Sequence, residues 1–572
     1  MTANNAKIGV LAAMVLSLSV GCTNRLNGLG SILSASNSTQ SSGNTTTSSS
    51  LPAPNPPGAL VYGTTLAAFT VNAAITNDMP NLTDPSLMYS VTPPLPAGLT
   101  LSPTTGIISG TPTAVNPLAT YVIQASNSAG LSVTSLNFAV YPVPITVNTW
   151  AFKDGSNPAT GLNANASDSA INPTMVSFNY ELYLTWTELN ANGVYELRFA
   201  VYNGNDAQPG IAFLDGGAGT GLNFNAAQSA MNPQFAVANS KLYLTWAETD
   251  GGVTQIRVAV YNGNDAAPAW TFVDGKAATG LNVNTAQQAS ASELISFNNE
   301  LYLTWTEQAG NPNDAQNEQV HVKVYNGNDA APAWTFVDGK NATGGVNFGA
   351  KDQAELSQFA VLNNKLYLVW DEDAGSDGGA PVNTIRAAVY NGNDATPVWT
   401  FVDGDQANGL THVADGQSAV ASVAVFNGKL YGIWEDLAPN QTTLQMRTAV
   451  YNGNDAAPAW SYVDGNAAAG INYNTNVSAY EGQLISYGGN LYAAWTEEDA
   501  ANAYKIRVAR YNGNDAAGAW ALIDGDTPNG LNLSATSSAL YPNFTVFGNE
   551  IYGAWSEEPG NVSEIRFVVG TP

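Results

Sequence analysis

The sequence predicts an all-β chain in two folded parts: a small β-sandwich, then a closed ring of seven four-stranded sheets. Three observations predict it. The decapeptide YNGNDAAPAW stands verbatim at 261–270, 325–334 and 451–460, and near copies open at Tyr202, Tyr390 and Tyr511, so the unit repeats roughly every 60 residues. All 13 tryptophans lie inside that repeat. Ahead of it, short apolar runs alternate with Pro/Gly turns, as in a sandwich.

At 572 residues the chain exceeds one ordinary core. Its net charge of −27 repels phosphate backbones and speaks against a nucleic-acid partner. One cysteine excludes an intrachain disulfide and a Cys-rich metal site.

At the amino terminus Lys7 precedes the apolar run IGVLAAMVLSLSV, which ends at Gly21-Cys22. The run is short for a membrane span, and a small residue before the cysteine suits cleavage ahead of a lipidated thiol. Residues 1–22 therefore read as a lipoprotein signal peptide through a lipidated Cys22. Thr23 is not Asp, which by resemblance to lipoproteins of double-membraned bacteria implies the outer membrane or cell surface and not inner-membrane retention. Residues 23–57, with ASNSTQSSGNTTTSSS and four prolines, bury almost nothing and read as a disordered tether. The lipid is the expected membrane contact, and the protein is expected to be monomeric.

Residues 58–143 form the sandwich. LPAGLTLSPTTGIISGTPT (95–113) followed by ATYVIQASNSAG resembles the Ig-like, cadherin-like modules of bacterial surface proteins. That resemblance implies a spacer or adhesive stalk. Only Asp78 and Asp84 are acidic here, which leaves little for the calcium such relatives hold.

Residues 144–572 carry the repeat. One unit, NPQFAVANSKLYLTWAETDGGVTQIRVAVYNGNDAAPAWTFVDG, shows four β-patterned runs. The second run brings a tryptophan seven times, at 186, 246, 305, 370, 434, 495 and 555, and the fourth six times, at 150, 270, 334, 399, 460 and 520. Such units predict a seven-bladed β-propeller. The last unit stops after its third run, IRFVV, and the region opens on an orphan fourth run, TWAFKDG, so strands from both ends are expected to close blade seven and remove its free edge. Asn-Gly in YNGND fits the φ > 0 positions of a tight hairpin.

Two residues past each strand-two tryptophan lies a carboxylate: Glu188, Glu248, Glu307, Glu372, Asp436, Glu497 and Glu557. Strand three offers Arg198, Arg257, His321, Arg386, Arg447, Arg507 and Arg566. Facing acid and base would set Trp186 across from Ala200, Trp246 from Ala259, Trp370 from Ala388, Trp434 from Ala449 and Trp495 from Ala509, so structural ion pairs at the blade rim are expected. The Asp-Gly that ends strand four, at Asp154, Asp215, Asp274, Asp338, Asp403, Asp464 and Asp524, and the later Asn163, Asn223, Asn282, Asn347, Asn472 and Asn532, read as connector braces.

What differs between blades bears more on binding than what repeats. In DEDAGSDGG, Asp371, Asp373 and Asp377 surround Gly375 in a pattern faintly like a calcium loop, which makes calcium the one candidate cofactor. With only His321 and His412, a His-cluster metal site or a Ser-His-Asp triad is not supported, and no catalytic residue is assigned. The repeat resembles sialidase-like and kelch-like propellers, including lectin-like ones on bacterial surfaces, yet it lacks the Ser-x-Asp-x-Gly-x-x-Trp boxes of sialidases. The resemblance implies fold and not that activity. The reading is a lipid-anchored envelope protein whose propeller binds a glycan or a surface protein. The alternatives are an extracellular polysaccharide-acting enzyme, a glycosidase or lyase, and a structural scaffold.

Overall fold

The computed structural model describes residues 55–572, except 155–160, 216–220, 276–279, 309–317, 340–344, 350–352, 374–382, 405–408, 412–416, 438–441, 466–469 and 526. Cys22 and Asp377 lie outside the described residues. Among those described, the one helical element is a single turn, Asp515–Ala517, and no helix is long and apolar enough to cross a membrane.

The first domain pairs Leu66–Thr70 in parallel with Gly130–Tyr141, which continues antiparallel to Asn116–Asn127 and then Met88–Thr92. Leu99–Leu101 and Ile108–Gly110 form a second, two-stranded sheet. Alternation puts Tyr121, Ile123 and Ala125 inside with Leu136 and Phe138, while Val122, Leu131 and Val133 face out. Asp84 accepts from the Ser86 amide at 2.8 Å, a local turn bond.

Seven four-stranded sheets follow: blade one (170–213), two (230–272), three (289–336), four (354–401), five (417–462), six (479–522) and seven (538–571). The seventh is completed by Thr149–Phe152, which pairs antiparallel with Glu564–Thr571, so the chain is an all-β, seven-bladed propeller closed by strands from both ends. The first strands of neighbouring blades run side by side around the axis. The core lies between blades, where each strand-two tryptophan is fully buried. At roughly 25 cal/mol per Å², burial of one indole is worth about 4–6 kcal/mol in transfer terms.

YNGND does more than turn the chain. In blade two the Tyr261 hydroxyl donates to Asp265 at 2.7 Å, and Tyr183 of blade one donates to the same carboxylate at 3.0 Å. The same clasp joins Tyr302 to Asp394, Tyr367 to Asp455, Tyr431 to Asp515 and Tyr552 to Asp206. Blade seven carries no such turn. There the Tyr492 and Tyr487 hydroxyls accept from the amides of Val147 and Ile145, on the segment that leads into the closing strand.

Candidate functional site

The strand-two carboxylates are buried and clasp the opposite rim. Glu248 accepts from the Trp246 indole at 2.8 Å and from the amides of Phe224 and Asn225 at 2.8 and 2.6 Å, on the connector that enters its blade. Glu188, Glu307, Glu372, Glu497 and Glu557 repeat this arrangement. Burial raises the Glu248, Glu372 and Glu497 carboxyls, while these donors and the nearby arginine pull them back. The connector asparagine works in the other direction. Asn223 accepts from the Leu197 amide at 2.8 Å and donates to the Tyr195 carbonyl at 2.9 Å, so this connector is held by the blade it leaves and by the blade it enters.

The expected register is corrected. Trp186 pairs with Arg198, Trp246 with Arg257, Trp370 with Arg386 and Trp495 with Arg507, not with the alanine two residues on. Tight hairpin closure sets this: Asp250 meets Val253 across Gly251-Gly252, which puts Glu248 opposite Gln255 and makes acid and base diagonal neighbours. The arginines reach the strand-four aspartates instead: Arg198 to Asp215 at 2.9 Å, Arg257 to Asp274 and Arg386 to Asp403 at 3.3 Å, Arg507 to Asp524 at 3.2 Å and Arg566 to Asp154 at 3.1 Å. Arg566 also lies 3.8 Å from Glu557. These pairs are interior, with Arg257 and Arg386 fully buried. Blade three relocates the charge: His321 keeps the aspartate contact at 3.0 Å, while Lys323 donates to the Leu281 carbonyl, and burial pushes its ammonium down to about 8.

Blade five varies the residues of the clasp. Asp436 stands where the others have Glu, and Thr411 where they have Asn. One methylene shorter, Asp436 accepts from Ser418 at 2.8 Å and lies 3.6 Å from Arg447, and the buried Trp434 indole N–H has no hydrogen-bond partner among the described residues. Next to these tryptophans, blades four and five carry Asp371 and Glu435 where the other blades carry Thr187, Ala247, Thr306, Thr496 and Ser556. Asp371, expected in a loop, is a buried strand residue directly across from Glu355, and Asp373 closes that strand. Among the described residues, no three His, Cys, Asp or Glu side chains could hold a metal ion together.

At the axis, every first strand breaks register at the same place. The bulge puts Asn172, Asn232, Ala291, Leu356, Val420, Glu481 and Tyr541 at φ between 49° and 60°. Glycine adopts that conformation freely and Asn or Asp less readily, and a β-branched Val420 there is strained. The bulges ring a cavity of about 330 Å³ at the mouth of the central channel. Backbone is repeated there; side chains are not. The polar ones reach round the ring. Asn172 donates to Asn232 at 2.7 Å, Glu293 accepts from the Phe359 amide and Glu481 from the Tyr541 amide, each at 2.8 Å, and Asn543 accepts from the Met175 amide at 3.0 Å. Burial pushes the Glu293 carboxyl up to about 8 against the pull of that amide. Sequence reasoning missed this ring because bulges interrupt the period-2 pattern without a glycine signal. Six residue types at seven copies of one repeat position were the available clue.

Residues 30–141 match the family described as Putative Ig domain, a match that begins inside the segment read as tether. No curated protein matches the chain. Among solved structures, the Trypanosoma rangeli sialidase in complex with the inhibitor DANA aligns at 13% identity with TM-score 0.36, over 60% of this chain and 55% of that one. The chain thus spans about half the length of that sialidase. The polysaccharide lyase Uly1 aligns at 10% identity and TM-score 0.42 over 69% and 88% of the two chains. The Penicillium chrysogenum alpha-L-arabinanase complexed with arabinobiose aligns at 12% and 0.37 over 59% and 92%.

Proposed function

We propose that this is a lipid-anchored binding protein of the cell envelope that recognises a glycan at the channel mouth. The observation that carries the reading is the contrast between a repeated ring and an unrepeated mouth. The amides of Asn172, Asn232, Gln234, Gln358 and Asn543 can exchange hydrogen bonds with hydroxyls, and Tyr541, at 38% exposure, offers a ring on which a sugar face can stack. Anchoring rests on the signal-like run ending in Gly21-Cys22.

A glycan and surface-protein array probed with the detergent-solubilised chain tests recognition. A glycan is expected to bind, and Tyr541→Ala is expected to abolish it. If only proteins bind, or the variant binds like the parent, the glycan reading fails. Cys22→Ala should abolish lipid labelling and membrane retention; persistent labelling would remove the anchor.

The enzymatic reading has one observation in its favour. A Glu293 carboxyl that keeps its proton to about pH 8 is the state of a general acid, with Glu481 the second mouth carboxylate. Against turnover, an oxygen of each is already committed to the next blade's amide. Reducing-end release from polysaccharides that disappears in Glu293→Gln would establish the enzyme.

A further inference from the structure

A second feature lies beside the mouth without lining it. Glu355 and Asp371 sit directly across from each other on neighbouring strands of blade four, so their side chains share a face. Glu318 at the top of blade three is hydrogen-bonded to Glu355, and Glu435 on blade five lies within electrostatic reach of Asp371. Burial and then Glu355 push the Glu318 carboxyl up to about 8, burial lifts Glu435 to about 7, and burial followed by Glu355 pushes Asp371 well above the carboxylate range. A cluster alone would mean little. Here, however, Asp371 is 7% exposed and its Oδ1 has no hydrogen-bond partner among the described residues, an uncompensated buried acceptor. The rest of the fold leaves few such debts in its carboxylates: the six clasping glutamates each accept two or more bonds. Glu318 and Glu355 are half-buried, whereas Asp371 and Glu435 are buried. Among the described residues, no three acids are close enough to hold one metal ion.

We propose that Glu318, Glu355, Asp371 and Glu435 form a recognition site for an organic cation, a ligand bearing an alkylammonium group. An ammonium carries three donors on a compact charge and can satisfy carboxylates too far apart to share a metal ion. The proposal does not depend on glycan binding at the mouth, because none of the four residues lines that cavity.

The test is calorimetry on the full chain with 1,4-diaminobutane, with uncharged 1,4-butanediol and calcium chloride as separate arms. The diamine is expected to bind and the diol is not. Asp371→Thr should weaken the diamine about tenfold or more, the loss expected of one charge-assisted bond. Threonine already occupies this position in blades one, three and six, so the variant should fold, and it should melt higher than the parent without ligand. Glu558→Gln, an exposed acid on the rim of blade seven, should bind like the parent. Absence of diamine binding at about 10 mM, weaker than any specific site of this kind, overturns the proposal. So does equal binding by Asp371→Thr, or a lower melting point in that variant. Calcium binding lost in Asp371→Thr or in Asp373→Asn with Asp377→Asn would replace it with a metal site.

Discussion

Six connectors between blades are held twice, by a glutamate of the blade ahead and an asparagine gripping the blade behind. The connector between blades four and five has Asp436 and Thr411 in those places. The same two blades bring in Asp371 and Glu435 where the others have small, mostly hydroxyl-bearing residues. The difference teaches how a repeat protein separates tasks. Closure needs one clasp copied round the ring, whereas recognition of a particular ligand needs a place where the copying stops.

The largest effect that sharpens this comparison is the response to pH. Glu293 and Glu318 are raised to about 8 and Glu435 to about 7, and all belong to the unrepeated side. Each keeps its proton in the folded chain at pH values where the unfolded chain, with a carboxyl near 4.3, has released it. The folded state therefore binds more protons, and stability is full below that value and lost as pH rises through about 7 to 8. Thermal melts at constant ionic strength should fall from about pH 5 to pH 8.5, and Glu435→Gln should flatten the slope. A rising curve would contradict the assignment.

Breaking the repeated side comes next. Asp274→Ala strips the counter-ion from the fully buried Arg257 and should cost about 3–5 kcal/mol in urea unfolding. Glu248→Asp copies the blade-five condition into blade two, abandoning the indole and two amides, and should cost about 1–3 kcal/mol. The smallest change runs the other way. Asp436→Glu offers Trp434 the partner it lacks and should gain about 0.5–1.5 kcal/mol. A loss there would mean that blade five is built around the shorter acid.

Most of the architecture could be read from the residues. Six Trp-x-Glu strands, one Trp-x-Asp strand and the orphan TWAF strand yielded blade number and closure, because period-2 alternation and turn residues are local signals. Register was harder. The alanines seemed to answer the tryptophans, yet hairpin closure at Gly251-Gly252 shifts the pairing by two and hands the arginines to the strand-four aspartates. The clasp role of Asp265 was hidden because its second partner, Tyr183, belongs to another blade. The mouth was least legible, since Glu293, Glu481 and Tyr541 meet only once the ring is closed. Asp371 was singled out for its acidic neighbours in sequence, but the neighbours that matter in space are Glu355 and Glu435, on another strand and another blade.

The seam in blade seven also sets an order of events. Thr149 and Thr571, hydrogen-bonded in the finished ring, are 422 positions apart, so during synthesis Thr149–Phe152 leaves the ribosome long before Glu564–Thr571. Blades one to six contain all their own strands and can pack as they emerge, nearest neighbour first. The seventh must wait, with one outer strand exposed at the start of the array. Contacts this distant in sequence form slowly. Joining the two ends is therefore expected to be the last step of folding, and a chain that stalls before Glu564 would carry an unpaired strand available to a second copy.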